Sequence, residues 1–123
     1  MKFKRFEEMP VWQDSRKLTG VVYAWTRTGK FSKDFGLRDQ MHRSAISIMS
    51  NIAEGYERAS QKEFLNFISY AKGSVGELRC QMYIALDLSY ITEKEFKEGH
   101  ELCIQISAQL TRFAQYIRAN LKT

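Results

Sequence analysis

The chain of 123 residues contains a single proline, at position 10. Every residue beyond it can donate a backbone N–H to a helix, so only seven glycines and a few polar turn signals interrupt regular structure. Apolar residues recur at i, i+3 and i+4 in four successive blocks. No block shows the period-2 alternation and turn chemistry of strands.

The first block predicts a helix over residues 9–29, with Pro10 in its first turn, where a missing N–H costs nothing. Val11, Ser15, Leu18, Val22 and Trp25 share one face, and Gly29 reads as the stop. "KFSKDF" is a short loop in which Ser32 or Asp34 caps the next helix. That helix spans 34–56, with Leu37, Met41, Ala45, Ile48 and Ile52 as its apolar stripe. Ser60-Gln61-Lys62-Glu63 has the form of a capping box and opens a third helix over 61–90, with core residues Phe64, Ile68, Ala71, Val75, Leu78, Met82 and Leu86. Thr92-Glu93-Lys94-Glu95 is a second box, opening a helix over 93–121 whose stripe runs from Gly99 through Cys103, Ile106 and Leu110 to Leu121. Long helices with short loops pack against their chain neighbours in opposite directions. The predicted fold is therefore all-α, an antiparallel up-down-up-down four-helix bundle forming one domain over residues 1–123.

Two features exceed what a plain bundle needs. Gln40, Ser44, Ser47, Asn51 and Glu54 form a polar stripe beside the apolar stripe of the second helix. Ser74 and Glu77 on the third helix are natural partners, which makes a structural network that fixes register the favoured reading over a catalytic or ligand role. The third helix also carries a second apolar face through Gly73, Cys80, Ile84 and Ile91, with Tyr70 and Leu88 nearby. Gly73 and Gly76 inside a helix suggest the close approach of another backbone. Gly73, Cys80 and Ile84 are assigned to an oligomer contact, the alternative being that the second and fourth helices cover both sides.

Chemistry-bearing motifs are sparse. His42 follows Asp39 by three, but there is no Glu-x-x-His pair of the kind that holds a di-metal centre. The chain has no nucleophile triad or phosphate loop, and the spacing of Cys80 and Cys103 matches no metal or redox motif. The two thiols project from different faces, which argues against a disulfide. The reading is a protein that is not an enzyme and takes no metal or cofactor. With no secretory leader and no apolar run approaching a membrane span, a cytoplasmic location without membrane contact is expected.

The net charge is +5, unevenly placed. Residues 1–43 hold ten basic and five acidic side chains, and residues 102–123 hold three basic and no acidic ones. In the bundle topology Lys2, Lys4 and Arg5 fall at the same end as Arg118 and Lys122, with Arg58 and Lys62 from the second turn. These seven are the candidate nucleic-acid contacts, diluted by Glu7, Glu8, Glu57 and Glu63.

The segment "FGLRDQMHRSAISIMSNIAEGYERASQKEFLNFISYAKGSVGEL" closely resembles the four-helix bundle family of 23S rRNA-intervening sequence proteins, also called S23-type proteins. Ser47, "NIAEG" at Asn51–Gly55, Arg58, Phe64, Phe67 and "GSVGEL" at Gly73–Leu78 carry the likeness, and Val11, Trp12 and Leu18 match the family's first helix. The resemblance implies a bacterial homo-oligomer, a pentameric ring by analogy with relatives, and no enzymatic activity. A related group resembles the accessory proteins of diversity-generating retroelements, basic rings associated with nucleic acid. The expected function is a non-catalytic oligomeric bundle that contacts structured RNA or a nucleoprotein through a basic rim. The alternative is a protein–protein interaction scaffold without nucleic-acid affinity.

Overall fold

The structure is a computed structural model that describes residues 3–121. Four helices account for most of it: α1 (Pro10–Thr26), α2 (Phe35–Glu57), α3 (Gln61–Asp87) and α4 (Glu93–Asn120). Short 3-10 turns at Phe6–Glu8 and Gly29–Lys33 precede α1 and α2. Each long helix packs against two others, in the cyclic order α1, α2, α3, α4.

Residue pairs across the contacts give the directions. On α1, Thr19 meets the Ala45 carbonyl at 3.4 Å, whereas Thr26 further along meets the earlier His42 at 2.7 Å. Between α3 and α4, Phe64 packs on Phe113 and Tyr83 on Phe96. The α4–α1 contact pairs Gln109 with Asp14 at 2.8 Å, and Gly99 with Trp25. In each case the partner's number falls as the residue's rises, so neighbouring helices are antiparallel.

The core is built mainly from the stripes read from the sequence, although Leu37, Leu86 and Leu121 of those stripes are only half-buried. Val11, Leu18, Val22, Met41, Ile48, Ile52, Phe64, Val75, Leu78, Met82, Ile106, Leu110 and Ile117 are buried. Ser15 is buried among them because its hydroxyl donates to the Val11 carbonyl at 2.7 Å within its own helix.

The ends of elements depart from expectation in four places. Helix α1 stops at Thr26, three residues short of Gly29. Gly29, at φ +63°, instead opens the 3-10 turn Gly29–Lys33, and that turn drives Phe31 into the core at 1% exposure. The predicted loop is therefore part of the core's lid, with Phe31 stacked on Tyr90 (4.9 Å) and the Tyr90 hydroxyl donating to Asp34 at 2.9 Å. Helix α3 ends at Asp87 rather than 90, and Ser89 makes the turn at φ +58°. Ile91, expected on the outer face of α3, lies past that turn and is buried.

The capping boxes differ from one another. At α4 both halves form, with Glu95 N–H donating to Thr92 Oγ1 (3.1 Å) and Thr92 N–H to Glu95 Oε1 (2.9 Å). At α3 the Ser60 hydroxyl accepts from Glu63 N–H (3.2 Å), but the Glu63 carboxylate takes Arg58 at 3.3 Å instead of the Ser60 N–H. A cation within reach outcompetes one backbone donor for that carboxylate. Asp34 caps α2 by accepting from Leu37 N–H at 3.1 Å.

Candidate functional site

The α2–α3 contact is built around small groups. Ser47 Oγ lies 2.8 Å from Ser74 Oγ, and the Asn51 side-chain amide donates to the Ser47 carbonyl (2.8 Å) and hydroxyl (2.9 Å). One turn on, Gly55 is buried against α3. A Cβ there would stand 2.6 Å from Phe67 Cβ and 2.8 Å from the Phe64 ring, so the helices approach to a distance only glycine permits. Of the expected network the structure thus brings Ser47, Asn51 and Ser74 together. Ser44 is buried beside them without a side-chain partner among the described residues. Gln40, Glu54 and Glu77 are exposed, because their helical positions carry them past the contact and into solvent. Glu54 turns instead to Arg58, at 2.8 Å.

The outer face of α3 presents Gly73, Cys80 and Ile84 to solvent, flanked by exposed Tyr70 and Leu88. A Cβ at Gly73 or Gly76 would meet nothing within 4 Å, so no backbone of the described chain approaches there. Cys80 is an exposed thiol. Cys103 is buried in the core, and desolvation pushes its thiol up to about 12, slightly offset by Arg79.

At the end of the bundle where α1 begins and α4 finishes, the Tyr56 hydroxyl donates to the Phe3 carbonyl and ties the leading segment to α2. This places Lys4 and Arg5 beside the α2–α3 turn. The cations there are not equivalent. Arg58 is held between Glu54 and Glu63 and lies over the Phe67 ring (4.9 Å), and its hydrogen bond to Glu54 raises its pKa further. Arg5 lies 4.0 Å from Glu8. Lys4, Lys62 and Arg118 are exposed and form no ion pair among the described residues. Lys2 and Lys122 lie outside the described residues.

The histidines sit in aromatic company. His100 stacks on Phe96 (5.3 Å) and meets the Tyr83 ring edge-on (5.8 Å). His42 lies flat on Tyr23, 3.9 Å between centroids, with its pKa lowered by burial first and by Arg38 second. Among the described residues no three His, Cys, Asp or Glu side chains converge as a metal site, and no helix is long and apolar enough to cross a membrane.

The family model described as 23S rRNA-intervening sequence protein matches residues 7–112, from the leading turn to the last third of α4. The chain belongs to that family. No curated protein matches it. A crystal structure of a protein of unknown function from the S23 ribosomal protein family of Bacteroides thetaiotaomicron VPI-5482 is similar at a TM-score of 0.77. It shares 22% sequence identity with this chain, and the match covers 85% of this chain and 97% of that one. At that identity the likeness speaks for the fold. In this member of the 23S rRNA-intervening sequence family, the motif residues Ser47, Asn51 and Gly55 all serve the α2–α3 contact.

What the sequence did not signal is a polar cavity between the end of α1 and the start of α2, with His42, Thr26 and Arg38 in its wall. Its residues come from three separate stretches, each ordinary when read alone. Only the 3-10 turn brings Ser32 to the other two.

Proposed function

We propose that this member of the 23S rRNA-intervening sequence family is a non-catalytic bundle. It assembles with copies of itself through the outer face of α3 and contacts structured RNA or a nucleoprotein through its basic end. The observation that carries the assembly is the state of α3. Gly73 and Gly76 have nothing within 4 Å, and Ile84, Leu88 and Tyr70 stand 44–57% exposed beside them. Helical glycines cost about 1 kcal/mol each relative to alanine. Exposed apolar side chains in water add to that cost, and both are offset when a second helix packs closely there. Lys4, Lys62 and Arg118 support the second part, since cations with no carboxylate beside them are the readiest to contact a phosphate backbone.

Light scattering across micromolar concentrations tests the assembly. The wild type should exceed its 14.4 kDa monomer mass, and Ile84→Glu should return it to monomer with unchanged helix content. A monomeric wild type would overturn this part. Binding of structured RNA across a salt series tests the other. Lys62→Glu and Arg118→Glu should each flatten the slope of log K against log salt by about 1. An oligomer with no RNA affinity at low salt would leave a protein scaffold. Arg5 and Arg58 favour that second reading, because both are already paired with carboxylates.

A further inference from the structure

The cavity between α1 and α2 lies at the opposite end of the bundle from the rim discussed above. It is open to solvent and holds about 270 Å³, just below the size of drug-sized ligand sites and suited to one small polar group. His42 lines it. The ring is fixed by the stack on Tyr23 at 8° between planes, and Nε2 lies 2.7 Å from Thr26 Oγ1. Arg38 forms one side. Its Nε donates to Asp39 at 3.2 Å, its Nη1 to the Ser32 carbonyl at 3.0 Å, and its guanidinium lies over the Phe35 ring at 4.6 Å. Three contacts hold that group in place, yet Nη2 makes no hydrogen bond among the described residues. Arg27 lines the cavity from the end of α1 and is exposed, with no carboxylate partner among the described residues.

The surrounding stretch is net basic, although Asp39 itself lines the cavity. Residues 27–43 carry five basic and two acidic side chains. Both acids are committed, Asp34 to the Leu37 N–H and the Tyr90 hydroxyl, and Asp39 to Arg38. That leaves Arg27 as the cation of the cavity wall with no carboxylate partner among the described residues.

We propose that this cavity is a seat for a phosphate group. Arg38 Nη2 and the Arg27 guanidinium donate to its oxygens, and His42, whose Nε2 is paired with Thr26, adds positive charge when protonated. Pre-oriented arginine forks are the usual means of holding such an oxyanion. The seat is separate from the rim and takes the group whether it belongs to an RNA backbone or to a small phosphorylated molecule.

The seat is linked to protons. His42 is faced by Tyr23 and Arg27 from α1, by Arg38 and Asp39 from its own helix, and by neutral Ser32 from the 3-10 turn. Burial and Arg38 disfavour its cation in the free protein, with Asp39 acting against them. An anion beside the ring reverses that balance, so binding favours the protonated ring and raises its pKa.

The test is titration of full-length protein with inorganic phosphate, followed by the NMR signals of the His42 ring and by its pKa. A saturable shift with a raised His42 pKa is expected in the wild type. Arg27→Gln, an exposed change that leaves the fold alone, should weaken it about tenfold with unchanged melting temperature. Shifts that never saturate, or that are equal in Arg27→Gln, would overturn the proposal. Structured RNA and a nucleoside monophosphate, compared at equal phosphate, then identify the source as whichever one raises the His42 pKa. If neither does so and inorganic phosphate also fails, there is no seat.

Discussion

Gly55 and Gly73 show how one residue type does opposite work in one bundle. At Gly55 an added Cβ would overlap Phe67 Cβ, which moves only with the α3 backbone, and the buried ring of Phe64. Gly55→Ala should therefore destabilise by about 1–3 kcal/mol in a urea melt, in spite of alanine's better helix propensity. At Gly73 there is open space, so Gly73→Ala in an Ile84→Glu background should stabilise by up to about 1 kcal/mol. In the wild-type background the same change should weaken assembly. The two thiols separate in the same way. In the monomeric Ile84→Glu background Cys80 should react with an alkylating reagent at once, and Cys103 only on unfolding. Because the folded Cys103 thiol ionises near 12 and the free thiol near 9, the unfolded chain releases its proton first as pH rises. Stability should fall across that window, by about 1.4 kcal/mol per pH unit at most. Cys103→Ala should fall less steeply. Equal slopes for the two proteins would show that the site is solvated.

At the scale of elements, the connections decide more than the helices do. The 3-10 turn Gly29–Lys33 is short, yet Phe31 inserts it into the core and Tyr90 holds it to the end of α3. Phe31→Ala should cost about 3–5 kcal/mol, as for a buried aromatic elsewhere. Thr92→Ala, which removes the complete capping box of α4, should cost about 1 kcal/mol. A chevron analysis that reversed this order would mean the turn does not clamp the bundle. The turn was not legible as structure because "KFSKDF" carries loop residues around a single aromatic. One apolar side chain has no period, and its burial depends on where α3 ends. The capping motifs were legible because they act over four residues. Even so, the motif at Ser60 is only half made, since Arg58 is close enough to claim Glu63.

For the whole molecule, assembly should couple to stability. If copies associate through α3, the melting temperature of the wild type should rise with protein concentration, and that of Ile84→Glu should not. A melting temperature independent of concentration in the wild type would remove α3 from the interface. The sequence by itself determined four helices, their apolar stripes, their antiparallel order and the family, because helical period, capping boxes and short loops are local and repeat along the chain. It also placed Ser47 and Asn51 in a register-fixing contact with the third helix. The tertiary structure alone decided which polar residues meet. Glu54 and Glu77 share the stripe's spacing but point past the contact, and Ile91 leaves the outer face because the chain turns at Ser89. It alone decided which cations are spent on carboxylates, and it alone gathered Arg27, Ser32, Arg38 and His42 around one cavity. Partner choice among charges depends on distances of a few ångströms across helices, and no period along a single chain encodes that.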